Sequence, residues 1–550
     1  MTHDAGRYLL AAALTLLGAP WVFPAEPAPL TVAEASGFKA TSRHSDVMTF
    51  IAELQKRSPN IRVERLCTSA EGRPVPLIVI GDPVPASPGA LVGDPRGVVY
   101  FQANIHAGEV EGKEALLMLA RDLLRGDAAS DLEKLIVLIA PLFNADGNER
   151  ISPEHRRRQA GPEQGVGIRY NGQNLDLNRD GMKLETPEVV GLVRNVLLRW
   201  DPIFFFDAHT HNGSYHQEPV TWTWALNPNG DTALIDFSAN AMWPAVEELM
   251  RLRYNTPTIP HGDFEDPRDP ERGWRPQGPQ PRYLSNYVGL RNRLSVLNEN
   301  YPYADFETRV RGCYNLCRSF LTFLGVHRDR IVAMLREADR RATLRGLRPG
   351  EGDRFIVEYG SEPIERRITI LGYEMEVEDS PGPYPRVHRK QATRVYAEVP
   401  YFARYTSKRS VRLPAAYLMP VHQDGVVAKL RQHGVVVERL TEPVTLPVEL
   451  FTVTDVKGAE RLDQGHYPNT VKGEYSRADR QFPAGSFWVG TAQPLANVAA
   501  YLLEPESDDG LVVWNFFDRY LVPQWSREPQ EYPVYRLLRS VPLARETVDP

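Results

Sequence analysis

Three cysteines in 550 residues leave no room for a disulfide framework. There is no Cys-x-x-Cys pair, so neither a zinc ribbon nor a dithiol redox motif is written in this chain. Cys313 and Cys317 lie one turn apart on a helical stretch and read as buried small hydrophobes. A single bridge from Cys67 to one of them stays open. Excess positive charge is also missing: 64 Lys and Arg against 70 Asp and Glu leave a net −6, which gives no reason to expect nucleic acid as a partner. Internal repeats and low-complexity tracts are absent, which excludes solenoid and collagen-like architectures. No run of apolar residues is long enough to span a bilayer as a helix. The one candidate, Tyr8 to Leu17 after Arg7, is too short, and small residues follow it, with Ala25 or Ala28 placed for cleavage. Residues 1–28 therefore read as a secretory signal peptide and the protein as secreted or periplasmic, with no integral membrane segment after signal removal. Oligomeric state is not legible.

What remains is an ordinary globular composition, 42% hydrophobic and 24% charged, long enough for two or more domains. The 46 prolines cluster between about 255 and 283 and again past 380. Ser45 to Arg57 carries Val47, Phe50, Ile51 and Leu54 on one helical stripe. Strand-like runs follow at Ile61 to Cys67, Val75 to Ile80, Gly97 to Phe101 and Leu135 to Leu142, the last almost wholly apolar, as in a sheet covered on both faces. Glu111 to Leu124 is helical between them. Residues 148–181 have little periodicity and hold Arg150, Arg156, Arg157, Arg158, Arg169, Asn178 and Arg179 in a long loop. A helix is expected over Pro187 to Trp200, a strand at Ile203 to Phe206, and a helix from Thr232 to Leu252 that Pro244 kinks or splits. Leu294 to Glu299 reads as a strand, and Glu307 to Phe323 and Val326 to Leu344 as two helices. Alternating strands and helices describe an α/β domain over about 40–340 with helices on both sheet faces. Residues 345–550 form an accessory C-terminal α/β region of unknown role, with a strand–helix–strand unit at 415–440. Its His422, His433 and His466 are scattered and read as ordinary surface or core histidines.

The chemistry sits at strand ends, where open α/β sheets bind ligands. After Gly97 to Phe101 comes Gln-Ala-Asn-Ile-His106-Ala-Gly-Glu109. An imidazole and a carboxylate three residues apart can turn toward one cation, and zinc takes such ligands at about 2.0–2.2 Å. Ile203 to Phe206 runs into Asp207-Ala-His209-Thr-His211, and a third strand ends in Glu299. His209 and His211 face the same way on an extended chain. His209 lies nearer the strand end, and Asp207, on its side, is placed to orient it. His216 reads as a surface or substrate-loop residue.

Between these strands lies Asp176-Leu-Asn178-Arg179. The ordered set of His-x-x-Glu, Asp-x-Asn-Arg, a strand-terminal His and a strand-terminal Glu resembles the zinc carboxypeptidases of the carboxypeptidase A type. Ser69-Ala-Glu-Gly-Arg73 and Asn144-Ala-Asp-Gly147 are similar to further landmarks of that family, and the resemblance covers about 45–330. It implies a central mixed, mostly parallel sheet with helices on both faces. It implies one Zn2+ held by His106, Glu109 and His209, with Glu299 as general base and Asp176 holding the other nitrogen of the His106 ring. Asn178 and Arg179 match the pair that receives a substrate's terminal carboxylate, so the implied substrate is a peptide with a free C-terminus. An upstream arginine stabilises the oxyanion in the family; Arg156, Arg157 and Arg158 are candidates and Arg156 is the choice. The family's site tyrosine has Tyr283 and Tyr287 as candidates, but the residues around them match poorly, and no residue of the side-chain pocket aligns. Two readings compete: a zinc amidase or deacylase of small acyl-amino acids or murein peptides, and a non-catalytic binding protein on the same fold.

Overall fold

The computed structural model describes residues 27–126, 132–211, 213–382, 385–523, 525, 528 and 530–548. The expected signal peptide lies outside them but for Pro27 and Ala28. Among the described residues no helix is long and apolar enough to cross a membrane.

Eight strands build the first sheet: β1 (Ile61–Thr68), β2 (Pro74–Ile80), β3 (Gly97–Ala103), β4 (Leu135–Ala140), β5 (Phe204–Thr210), β6 (Val220–Trp224), β7 (Thr258–Pro260) and β8 (Leu294–Asn300). Their order is β1-β2-β4-β3-β5-β8-β6-β7. The central pairs β4–β3, β3–β5 and β5–β8 are parallel, as is β6–β7. The remaining pairs are antiparallel. Every residue of β3, β4 and β5 is buried, which is why their sequences run apolar without alternation. Each phenylalanine of β5 removed from water contributes roughly 1.5–3 kcal/mol to this arrangement.

Helices cover both faces: α1 (His44–Arg57), α2 (Glu111–Leu124), α3 (Trp243–Tyr254), α4 (Leu284–Leu290) and α5 (Phe306–Leu347). On one face Phe320 of α5 packs on Phe204 and Phe206, with ring centroids 5.0 and 5.8 Å apart. The start of α2 sits directly on the strand ends. A Cβ at Gly112 would stand 2.5 Å from the Ala208 Cβ and 2.9 Å from the Ala103 Cβ, so only glycine lets the helix approach there. Behind it the fully buried Glu111 pairs with the fully buried Arg309 of α5 and accepts from the Thr210 hydroxyl at 2.5 Å. On the other face Asn195 Nδ2 donates to Leu66 O at 2.8 Å, and Ser295 Oγ to Ser285 O, in the first turn of α4, at 2.6 Å.

One expectation changes, and two points left open are decided. The two helices expected at 307–323 and 326–344 are one helix of 42 residues capped by Asp305. The glycine at its middle, Gly325, has nothing within 4 Å of its would-be Cβ, and its cost of about 1 kcal/mol is outweighed by the buried stripe on either side. The helix expected from Thr232 to Leu252 is split: Thr232–Phe237, a wide turn at Ser238–Met242, then α3 with Pro244 in its first turn, where a missing N–H costs little. The cysteines are free thiols, so no bridge links Cys67 to the pair on α5.

Beyond α5 come two antiparallel ribbons, Arg354–Glu362 with Arg404–Arg412 and Ile368–Glu378 with Arg386–Val399. A second sheet follows, ordered 469–482, 444–458, 535–537, 416–419, 487–490, 438–440 and 545–547. The helix of the strand–helix–strand unit is Asp424–Gln432. One contiguous cluster of buried apolar side chains runs from Ala33 to Val534 and so joins the two sheets.

Candidate metal centre and its cleft

The chain leaves β3 at Ala103 and turns through Asn104, a buried residue at φ +64°. Asn104 Nδ2 donates to the carbonyls of Ala107 and Glu109, both at 3.3 Å, and Glu109 N donates to His106 O at 2.9 Å. This tight loop points His106 and Glu109 the same way. β5 delivers His209 to the same point, because β3 and β5 run parallel in register from Val99–Phe204 to Ala103–Ala208.

The three side chains are 3%, 3% and 2% exposed. His106 Nδ1 lies 3.1 Å from Glu109 Oε1, His209 Nδ1 lies 3.1 Å from Glu109 Oε2, and the two Nδ1 atoms are 3.2 Å apart. Among the described residues this is the group of His, Cys, Asp or Glu whose ligand atoms all fall within 4.8 Å. A tetrahedral ion with ligands at about 2.1 Å leaves those ligands about 3.4 Å apart. Donor type, donor count and spacing therefore fit one zinc with a fourth position left open.

The far side of each ring is held. His106 Nε2 meets Asp176 Oδ1 at 3.0 Å, and His209 Nε2 meets Asp207 Oδ2 at 3.0 Å. Gln102 Nε2 donates to Asp207 Oδ1 at 3.0 Å and takes the Tyr100 hydroxyl on its Oε1 at 3.0 Å. That chain follows from the period of two on β3 and β5, which puts Tyr100 with Gln102 and Asp207 with His209. The charges are strongly coupled. Burial opposes ionisation of Glu109, but His106, Arg156 and His209 outweigh it and hold the carboxyl well below the usual carboxylate range. Asp176 is likewise held low against burial by His106, Arg169 and Arg179. His209 is raised by Asp207 and Glu109, again against burial.

Glu299 sits on β8 opposite His209 in the β5–β8 register. Its Oε2 is buried with no hydrogen-bond partner. Burial, with Glu109 nearby, pushes its carboxyl up to about 7 while the histidines pull the other way.

Of the three consecutive arginines, Arg157 and Arg158 are exposed and Arg156 turns inward at φ +49°. Arg156 Nη1 donates to Glu109 Oε1 at 3.0 Å, Nη2 to Thr210 O at 2.8 Å and Nε to Gln159 Oε1 at 2.8 Å. Arg169, in the same loop but given no role from sequence, donates from Nε to Asp176 Oδ2 at 2.8 Å and lies 3.9 Å from Glu109. Asn178 is buried; its Oδ1 accepts from Leu284 N at 2.9 Å and its Nδ2 lies 3.5 Å from His209 Nε2. Arg179 donates to Asn178 O at 2.9 Å and lies over the Tyr283 ring at 4.6 Å. Tyr287 is removed from the site: it is fully buried, with its hydroxyl 2.8 Å from His433 Nδ1 and accepting from Arg291 at 3.0 Å.

Beside Glu299 opens a cleft of about 360 Å³ lined also by His211, His261, Asp263, Arg275 and Gln277. His211 Nε2 lies 3.2 Å from Asp263 Oδ1, which raises the imidazole against its burial, and its ring meets the edge of His261 at 4.8 Å. His216, expected at the surface or in a substrate loop, is 1% exposed between Tyr301 and Trp274, because residues 371–372 of the second ribbon pair over it. His261 and Asp263 were not legible as site residues, since the stretch around them has no periodicity. The only local signal is a histidine directly after a strand.

Two imidazoles and a carboxylate are thus brought together at the carboxyl edge of a mixed α/β sheet, as a group that could hold one metal ion, with the unpartnered Glu299 oxygen beside it. Comparison with known proteins points to a class. Residues 47–221 match the family model described as Zinc carboxypeptidase. A protein named Carboxypeptidase 2 from Trichophyton equinum is 24% identical over 459 residues, spanning 80% of this chain and 76% of that protein. Carboxypeptidase 2 from Trichophyton rubrum is 25% identical over the same length and shares. A solved metallo-carboxypeptidase from Burkholderia cenocepacia shares 20% identity over 51% of this chain and 69% of its own, at a TM-score of 0.38. Over residues 47–221 the chain is therefore similar to zinc carboxypeptidases, and the relatives that span four fifths of it are named carboxypeptidases.

Proposed function

We propose that this protein is a zinc-dependent carboxypeptidase that removes residues from peptides with a free C-terminal carboxylate. One observation carries the reading: the ligand atoms of His106, Glu109 and His209 lie within 4.8 Å of one another, next to a Glu299 oxygen that is buried without a partner. Zinc bound there would make its water acidic and polarise the scissile carbonyl.

The chain's own residues do the rest. Glu299 Oε2, buried without a hydrogen-bond partner, accepts the water's proton and returns it to the leaving amine. Asp176 and Asp207 fix the imidazole rings from behind, each through its Nε2, so that both Nδ1 atoms face the ion. Arg156 brings positive charge to the edge of the centre, where an oxyanion would form. Arg179, half-buried and stacked on Tyr283, offers its fork to the substrate's terminal carboxylate beside Asn178. Residues 1–28 act as the export signal in this reading, and the mass of the mature N-terminus checks it.

The test is hydrolysis of an N-blocked dipeptide, presented as the free acid and as the C-terminal amide, with zinc content measured on the same preparation. The free acid should be cleaved and the amide spared. Amide cleavage at the same rate would favour an amidase instead. Glu299→Gln should keep its zinc and lose turnover; wild-type turnover in that variant removes Glu299 from the reaction.

A further inference from the structure

The C-terminal region reaches the metal centre through one side chain. Strands 444–458 and 469–482 pair along their length, and the turn between them, residues 459–468, docks on the loop that carries Asp176. At its tip Gln464 Oε1 accepts the backbone N–H of Asp176 at 2.8 Å, across 288 residues of sequence. That N–H belongs to the residue whose carboxylate holds His106 Nε2 at 3.0 Å and takes Arg169 Nε at 2.8 Å. The tip is built for placement. Gln464 has φ +52° and Gly465 φ +83°, two consecutive left-handed residues, the first of which costs a non-glycine side chain free energy to hold. Asp463 and His466 close the turn with reciprocal backbone bonds of 2.8 and 2.9 Å. His466 then ties the turn down on two sides, through Nε2 to Glu185 at 3.0 Å and through Nδ1 to Asn515 Oδ1 at 3.0 Å. Arg282, next to Tyr283, faces Asp463 at 3.7 Å.

We propose that Gln464 is a positioning residue for the zinc ligand His106, acting through Asp176, and that the C-terminal region is for this reason part of the metal centre. A buried peptide N–H needs an acceptor, and the acceptor chosen for Asp176 sets where its carboxylate stands. Removing it lets the 175–179 segment relax, and the grip on the His106 ring loosens. The inference rests on the zinc reading above.

The experiment compares wild type, Gln464→Met and Gln464→Glu by zinc competition against a chromophoric chelator and by melting of the metal-free proteins. Methionine keeps length and volume but cannot accept well; glutamate restores an acceptor oxygen. The expected result is a zinc dissociation constant raised about 10-fold in Gln464→Met, the low end of the range for residues behind a ligand, with Gln464→Glu within about 3-fold of wild type. The metal-free melting temperatures should agree. Gln464→Ala takes the place of the methionine variant if that one does not fold. Gln464→Met binding zinc as wild type does, or Gln464→Glu as weak as Gln464→Met, overturns the proposal. Wild-type protein that takes up no zinc defeats the earlier reading instead, so the two failures are distinguishable.

Discussion

Gly108, between His106 and Glu109, is the point where a single methyl group should reach the proposed chemistry. A Cβ there would stand 2.6 Å from Arg156 Cδ and 3.0 Å from Gly167 O. The Gly167 carbonyl sits on a backbone stretch packed against Ala107 and Gly147, so the flexible arginine has to give way. Moving it breaks the bonds to Glu109 at 3.0 Å and Thr210 O at 2.8 Å. A hydrogen bond to a charged group contributes roughly 1.5–3 kcal/mol, so Gly108→Ala should lower kcat/KM about 10- to 150-fold. Arg156→Met, which also removes the proposed oxyanion donor, should cost about 100- to 1000-fold. The decisive measurement is the double variant, assayed zinc-loaded on the N-blocked dipeptide acid. If Gly108→Ala acts only by displacing Arg156, adding it to Arg156→Met changes nothing further. Additive losses, or wild-type kinetics in Gly108→Ala alone, would refute the reasoning.

Other residues give independent checks. Asp176→Asn keeps the shape but loses the charge behind His106, and zinc affinity by chelator competition should fall about 10- to 100-fold. Tyr287→Phe strands the polar atoms of His433 and Arg291; a stability loss of roughly 1–3 kcal/mol in denaturant is expected with kcat/KM unchanged, and a loss of kcat would return Tyr287 to the site. Glu188 is fully buried with Oε1 unpartnered, and burial pushes its carboxyl from 4.5 up to about 7. A raised folded-state pKa means stability that is present below about pH 4.5 and lost as the pH climbs through about 7, here roughly 3 kcal/mol in all. Glu188→Gln should therefore gain on wild type between pH 5 and pH 8 in denaturant midpoint; a gap that does not change with pH tells against a buried, protonated Glu188.

The strand ends were legible because each is a local event. The run Val98 to Phe101 must be a buried strand, and the first polar residues after it have to emerge at the sheet's carboxyl edge; the same holds for Phe204 to Phe206 before Asp207 and for Leu294 to Leu297 before Glu299. What a period of two or of 3.6 cannot carry is which distant segment closes over such an edge. His261 and Asp263 lie in an aperiodic, proline-rich stretch, and their place beside Glu299 follows from β7 being the outermost strand next to β6. The burial of His216 depends on a ribbon more than 150 residues later. Tyr283 and Tyr287 differ by one turn of chain, yet one ring supports Arg179 and the other is sealed against His433 of the C-terminal region. In each case the deciding partner lies beyond residue 340 or on a loop set by the sheet order. The first sheet alone therefore underdetermines the cleft: the strand ends bring His106, Glu109, His209 and Glu299 together, and partners such as Gly372 over His216 and His433 on Tyr287 complete the surroundings from the C-terminal region.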